Sequence, residues 1–200
     1  MFRKVCVFLV NIFLNVWFKV DIVNCERFEK LKSGCVITPN HISAWETVII
    51  PVKTKRCMWM MAKEELFKNK FFNFFLNALK VFPIARGKKD FSAIKKAVSL
   101  VENGNAICMF PEGTRKKDDS KLKFKPGAVM IAHEAKVPVI PVGVYAEKNY
   151  KFRSKVHIVY GEPIYFYDYY DKALSKEELR NLTEQLEIAV QKAIDSVKGE

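Results

Sequence analysis

Apolar residues in this chain recur in two rhythms. Short runs rich in Val, Ile, Met and Phe read as strands at residues 35–38, 56–62, 81–85, 106–110, 137–144 and 155–160. Stretches of helical spacing lie between them. Phe91, Ile94, Val98 and Val101 mark one helix, closed by Asn103-Gly104. Residues 127–136 form another. Near the C-terminus, Ser175 and Glu178 make a capping box, and Leu179, Leu182, Leu186, Ala189, Ala193 and Ile194 line one face behind it. This alternation predicts an α/β fold: a single-domain layered sheet, mixed or mostly parallel, flanked by helices. No repeat, low-complexity tract or dividing linker interrupts it.

Two apolar segments stand apart. Residues 5–20 are largely apolar but broken by Asn11, Asn15 and Lys19, too short a run for the ~20 apolar residues that a span needs. No small-residue cleavage site follows, as a signal peptide would require. Lys4, Asn11, Asn15 and Lys19 fall near one helical face, which predicts a membrane-associating helix with a narrow polar stripe. The expected division is residues 1–24 for that helix and 25–200 for the α/β domain. The second segment, residues 66–82, gathers Phe67, Phe71, Phe74, Phe75, Ala78 and Leu79 on one face. That face suits either a core or contact with lipid or an acyl chain.

Charge narrows the partners. Thirty-four Lys and Arg against 22 Asp and Glu leave +12, which favours nucleic acid, an anionic membrane or a phosphorylated substrate. The 16 Phe, 7 Tyr and 3 Trp tilt the balance toward lipid. No nucleic-acid recognition signature is visible, and the Phe cluster lacks the spacing of a single-strand stacking platform. The five cysteines form no C-x-x-C pair, so neither a disulfide frame nor a zinc site is expected. No metal or other cofactor is expected, since His133 and His157 have no carboxylate at ligand spacing.

The candidate chemistry sits in two motifs, each following a predicted strand. In Asn40-His41-Ile42-Ser43-Ala44-Trp45-Glu46, the imidazole is a candidate general base and Glu46 its orienting acid. On a regular helix the two would lie about 140° apart, at ~100° per residue. They meet only if His41 precedes a helix and Glu46 sits in its first turn. No G-x-S-x-G elbow is present, so the hydroxyl to be activated belongs to a substrate. Phe110-Pro111-Glu112-Gly113-Thr114-Arg115 has the makings of an anion site. Gly113 permits close backbone approach, Thr114 adds a hydroxyl, and the Arg115 fork suits a phosphate. Glu112 is placed to bind a hydroxyl or to brace Arg115. Arg86, after another strand, supplies a second candidate phosphate contact.

With these residues in place the chain resembles the glycerolipid acyltransferases, specifically the 1-acylglycerol-3-phosphate acyltransferases. Four blocks carry the resemblance in order: Asn40-His41 through Glu46, Val81 to Arg86, Phe110 to Arg115, and Val137-Pro138-Val139-Ile140-Pro141. One position departs, since Glu46 stands where the family usually has Asp. The resemblance implies transfer of a fatty acyl group from a thioester (acyl-ACP or acyl-CoA) to the sn-2 hydroxyl of lysophosphatidic acid, giving phosphatidic acid in phospholipid biosynthesis. It implies catalytic roles for His41 and Glu46, and substrate binding by Arg86, Glu112, Gly113, Thr114 and Arg115. It also implies association with the anionic cytoplasmic face of the cell membrane, and no nucleic-acid partner. Two other readings stay open: an O-acyltransferase with a different acceptor, such as glycerol 3-phosphate, another lysophospholipid or a lyso-aminolipid, and a non-enzymatic basic lipid- or nucleic-acid-binding protein.

Overall fold

The computed structural model describes residues 2–84, 91–115, 121–147 and 149–198, excepting the side chains of Phe2, Phe71, Phe72, Phe75 and Ala78. Among the described residues, seven strands form one sheet: β1 (Phe18–Val23), β2 (Cys35–Pro39), β3 (Met58–Lys63), β4 (Val81–Ile84), β5 (Ala106–Cys108), β6 (Val139–Ala146) and β7 (Ser154–Tyr160). Their order is β1-β7-β6-β2-β5-β3-β4. Strands β6, β2, β5, β3 and β4 are mutually parallel. Among the named strands of the described residues, β6 and β7 pair antiparallel, and β1 extends the sheet parallel to β7. The sheet is thus mixed and mostly parallel, as its strand–helix alternation demands.

Side chains alternate strictly between the two faces. On one, Cys35 and Ile37 of β2, Ala106 and Cys108 of β5, and Ile140, Val142 and Val144 of β6 join one core. That core is covered by α1 (Phe2–Trp17), α2 (Glu26–Glu29), α3 (Glu46–Lys53) and α4 (Lys70–Ala78). On the other, Val36, Ile107 and Val139 join a second core under α5 (Phe91–Glu102), α6 (Gly127–Glu134) and α7 (Lys176–Asp195). Each fully buried Ile (Ile37, Ile107 and Ile140 among them) contributes about 1.5–3 kcal/mol relative to exposure. A one-residue slip would exchange the faces, so the two cores fix the register. Helix α7 begins with the expected capping box, the Ser175 side chain accepting from the Glu178 N–H and the Glu178 side chain from the Ser175 N–H. It packs directly on β6, where a Cβ at Gly143 would lie 2.5 Å from the Ile194 nitrogen.

Several elements differ from the sequence reading. The N-terminal helix ends at Trp17, and Phe18–Val23 is an edge strand of the sheet, not helix. Lys19 therefore lies on β1 and cannot belong to a helical polar stripe with Lys4, Asn11 and Asn15. The physical reason is the alternation of Phe18, Val20 and Ile22 with Lys19 and Asp21, a strand pattern joined without a break to an apolar helix. Residues 66–82 are not one helix either. A short 3-10 turn, Glu64–Phe67, precedes α4, and Lys80 at φ 62° leads into β4. Phe67, Leu76 and Leu79 pack against the first core while Phe74 is exposed. Among the described residues, no helix is long and apolar enough to cross a membrane.

Candidate active site

Strands β2 and β5 are neighbours and parallel, so the loops leaving their C-terminal ends emerge side by side. One leads to α3 on one face of the sheet and the other to α6 on the opposite face. Divergence of this kind opens a crevice at the strand ends. Residues 40–46 and 110–115 line it.

Asn40 anchors the first loop. Its carboxamide nitrogen donates to the Val144 carbonyl at 3.0 Å, and its oxygen accepts the Val144 N–H at 2.7 Å. A side chain thereby continues the pairing of β2 with β6 one step beyond Pro39. The fourth sequence block is that same β6. Its Pro141 pairs in register with Thr38, whose hydroxyl donates to the Ile140 carbonyl at 3.2 Å. This block supports the strand that carries the histidine.

His41 precedes α3 and Glu46 is the helix's first residue, the arrangement that their spacing requires. His41 Nδ1 lies 2.7 Å from Glu46 Oε2. The Glu46 carboxylate also accepts the Ser43 N–H at 2.7 Å and the Ile42 N–H at 3.1 Å to Oε2, and the Tyr150 hydroxyl at 2.8 Å. Every one of these partners is a donor, so the group is served as an anion, and its place at the N-terminus of α3 favours negative charge. With a carboxylate on Nδ1, the ring proton resides there and Nε2 keeps its lone pair. His41 and Glu46 are only 7% and 1% exposed, so the pair acts in a shielded setting where charge interactions are strong.

The second loop closes onto the first. The His41 ring stacks on Phe110, centroids 4.0 Å apart, and the His41 N–H donates to Glu112 Oε1 at 2.7 Å. Glu112 thus ties the two motifs together. Gly113 adopts φ 76° in the turn after Pro111, where the Gly113 N–H donates to the Phe110 carbonyl at 3.0 Å. Gly113 passes under the Lys125 side chain, whose Nζ would lie 3.0 Å from a Cβ placed there. Thr114 and Arg115 are exposed at the end of the loop. Arg86 lies outside the described residues. The structure therefore brings His41, Glu46, Glu112 and Gly113 together, with Thr114 and Arg115 following on the same loop.

Tyr150 is the site residue that sequence reading missed. It comes from the loop between β6 and β7, and no local motif around Tyr150 signals a contact 104 positions back. Burial first, and then the neighbouring Glu46 charge, push its phenol well above the ordinary tyrosine range, so it donates. His133 and His157 stay apart from the crevice. The first meets the Tyr169 and Lys172 carbonyls, and the second lies among Asp21 and Glu147. Among the described residues, no three His, Cys, Asp or Glu side chains converge as a metal site would need.

Comparison with known proteins gives concordant results. A family model described as Acyltransferase matches residues 19–145. The 1-acyl-sn-glycerol-3-phosphate acyltransferase of Bacillus subtilis (strain 168) is 33% identical over 192 residues, covering 92% of each chain. The protein of the same name from Borreliella burgdorferi is 26% identical, covering 92% of this chain and 76% of its own. The crystal structure of the 1-acyl-sn-glycerophosphate (LPA) acyltransferase PlsC from Thermotoga maritima superposes with a TM-score of 0.74 at 25% identity. That match covers 99% of this chain and 82% of the other.

Proposed function

Since the chain belongs to the acyltransferase family, we infer that it is a 1-acyl-sn-glycerol-3-phosphate acyltransferase, moving an acyl group from a thioester to the sn-2 hydroxyl of lysophosphatidic acid. One observation carries the chemistry: His41, held through Nδ1 by Glu46, has its own backbone N–H bound by Glu112 of the neighbouring loop. Base and anion loop are thereby one assembly.

In this reading Nε2 of His41 takes the proton of the acceptor hydroxyl as its oxygen attacks the thioester carbonyl. A tetrahedral intermediate forms. Its collapse breaks the carbon–sulfur bond, and the imidazolium returns the proton to the departing thiolate. Glu46 stabilises the imidazolium between these two transfers. Glu112, Gly113, Thr114 and Arg115 form the wall that receives the glycerol phosphate, with Arg115 and Arg86 as its cations. The donor is acyl-ACP or acyl-CoA.

Association with an anionic membrane fits the surface of α1. Leu14 and Trp17 pack inward, while Val5, Phe8, Leu9, Ile12, Phe13 and Val16 stand exposed at helical spacing. Such an apolar stripe suits a helix lying in the bilayer interface, at the cytoplasmic face where thioester donors are available.

The test is mass spectrometry of products from purified protein given mixed thioesters and mixed lyso-acceptors. Phosphatidic acid is the expected main product. A product from glycerol 3-phosphate or a lyso-aminolipid alone would refute the acceptor assignment. His41→Ala should lower turnover by roughly 10²–10⁴, the usual contribution of a positioned base, and near-normal synthesis would refute the base assignment.

A further inference from the structure

We propose that Tyr150 is a positioning residue of this reaction: its hydroxyl clamps Oε1 of Glu46 so that Oε2 is held against the His41 ring. The proposal rests on the reading of His41 as base. Glu46 carries two methylenes before its carboxylate, and hence one more free torsion than an aspartate. A carboxylate on so long a stem needs holding if it is to keep one oxygen on Nδ1. The Ile42 and Ser43 N–H groups hold it from the side of its own loop. Tyr150 holds it from across the molecule, at 2.8 Å from Oε1.

The tyrosine is itself fixed. It is buried, at 8% exposure, and its ring meets the Phe18 ring edge-on at 5.9 Å. Phe18 in turn meets Trp45, the residue before Glu46, at 5.2 Å. The acid, its backbone and the phenol are thus wedged by one aromatic column. The backbone is also unusual. Asn149 and Tyr150 both adopt left-handed conformations, φ 47° and 60°. A bulky aromatic residue rarely does so, and such strain persists where the surroundings over-determine it. Here it turns the phenol inward to the carboxylate.

A double-mutant cycle tests this. Tyr150→Phe keeps the ring and removes only the hydroxyl. It should lower kcat about tenfold, the low end for a hydrogen bond to a charged group, with KM unchanged for acceptor and donor. In a Glu46→Asp background the shorter carboxylate falls short of the phenol, so the same change should alter kcat less than twofold. Equal losses in the two backgrounds, no loss in either, or a rise in KM alone would overturn the proposal. A second readout does not depend on turnover. In NMR of His41, the Nδ1–H proton should exchange with water about tenfold faster in Tyr150→Phe. Unchanged exchange sinks the proposal even if the wild-type protein proves to use another acceptor, whereas inactivity of the wild type on every acceptor would count against the acyltransfer reading alone.

Discussion

Replacing Asn40 by Ala is the sharpest probe of how the histidine loop is held. The side chain is 3% exposed and exchanges two hydrogen bonds with Val144. Alanine removes both partners at once and leaves a peptide N–H and a carbonyl in the core. Each unsatisfied group costs about 1–3 kcal/mol. Partial relaxation brings the expected sum to roughly 2–4 kcal/mol. A domain of this size has ~5–15 kcal/mol of stability, so the variant should still fold. Its melting temperature should fall by about 4–16 °C, taking ~2–4 °C per kcal/mol for a chain of this length. Asn40→Asp should be no better, because a carboxylate oxygen would then face the Val144 carbonyl. Thermal unfolding supplies the stability change. Turnover measured well below the melting temperature then reports on the displaced His41. A stability loss under about 0.5 kcal/mol, the scatter of neutral surface changes, together with wild-type turnover, would refute the role given to this side chain.

Other expectations concern the frame and its titrating groups. Gly143→Ala drives a methyl into the backbone of Ala193 and Ile194. It should cost about 3 kcal/mol or more, the upper range of overpacking, and equilibrium unfolding that shows no loss would mean that α7 does not rest on β6 this closely. In native protein at pH 8, thiol reagents should modify the three partly exposed thiols, Cys6, Cys25 and Cys57, before the two buried ones, with Cys25 slowed because burial raises its thiol. Cys35, pushed up to about 12 by burial, and Cys108, pushed higher by burial and then by Cys35, should react only on unfolding. Five thiols reacting at one rate would contradict the buried assignment. Glu178 is held at about 2, first by the Ser175 N–H and then by Lys172. Its folded value lies below its unfolded one, so the cap's stabilisation is complete above pH ~4.5 and fades as pH falls toward 2. The stability gap between wild type and Glu178→Ala should therefore shrink across that window, and a constant gap would remove the charge from the explanation.

What the sequence made legible was what is local. His41 and Glu46 are five positions apart, and helix periodicity lets them meet only through the kind of loop-to-helix turn that is found. The Ser175 capping box spans three positions and was equally readable. The C-terminal end of α5 was legible because Asn103-Gly104 closes the run that ends at Val101. Strand β1 was hidden because its alternation runs straight on from an apolar helix and its partner, β7, lies far along the chain. The bond from the His41 N–H to Glu112 crosses 71 positions, and that from Tyr150 to Glu46 crosses 104. Neither has a periodic or spacing signature. The motif could suggest that Glu112 binds something, but not that it holds the backbone of the base.

The pairing of β1 with β7 sets an order on how the sheet is completed during synthesis. Phe18 is in register with Ser154, which emerges 136 residues later (154 − 18). At ~5–20 residues per second, β1 must wait roughly 7–27 seconds for β7, the strand it pairs with. Throughout that interval Phe18, Val20 and Ile22 lack the strand they pair with, and they sit directly behind the exposed apolar stripe of α1. A nascent chain with this topology is therefore vulnerable to aggregation at β1 until β7 has left the ribosome.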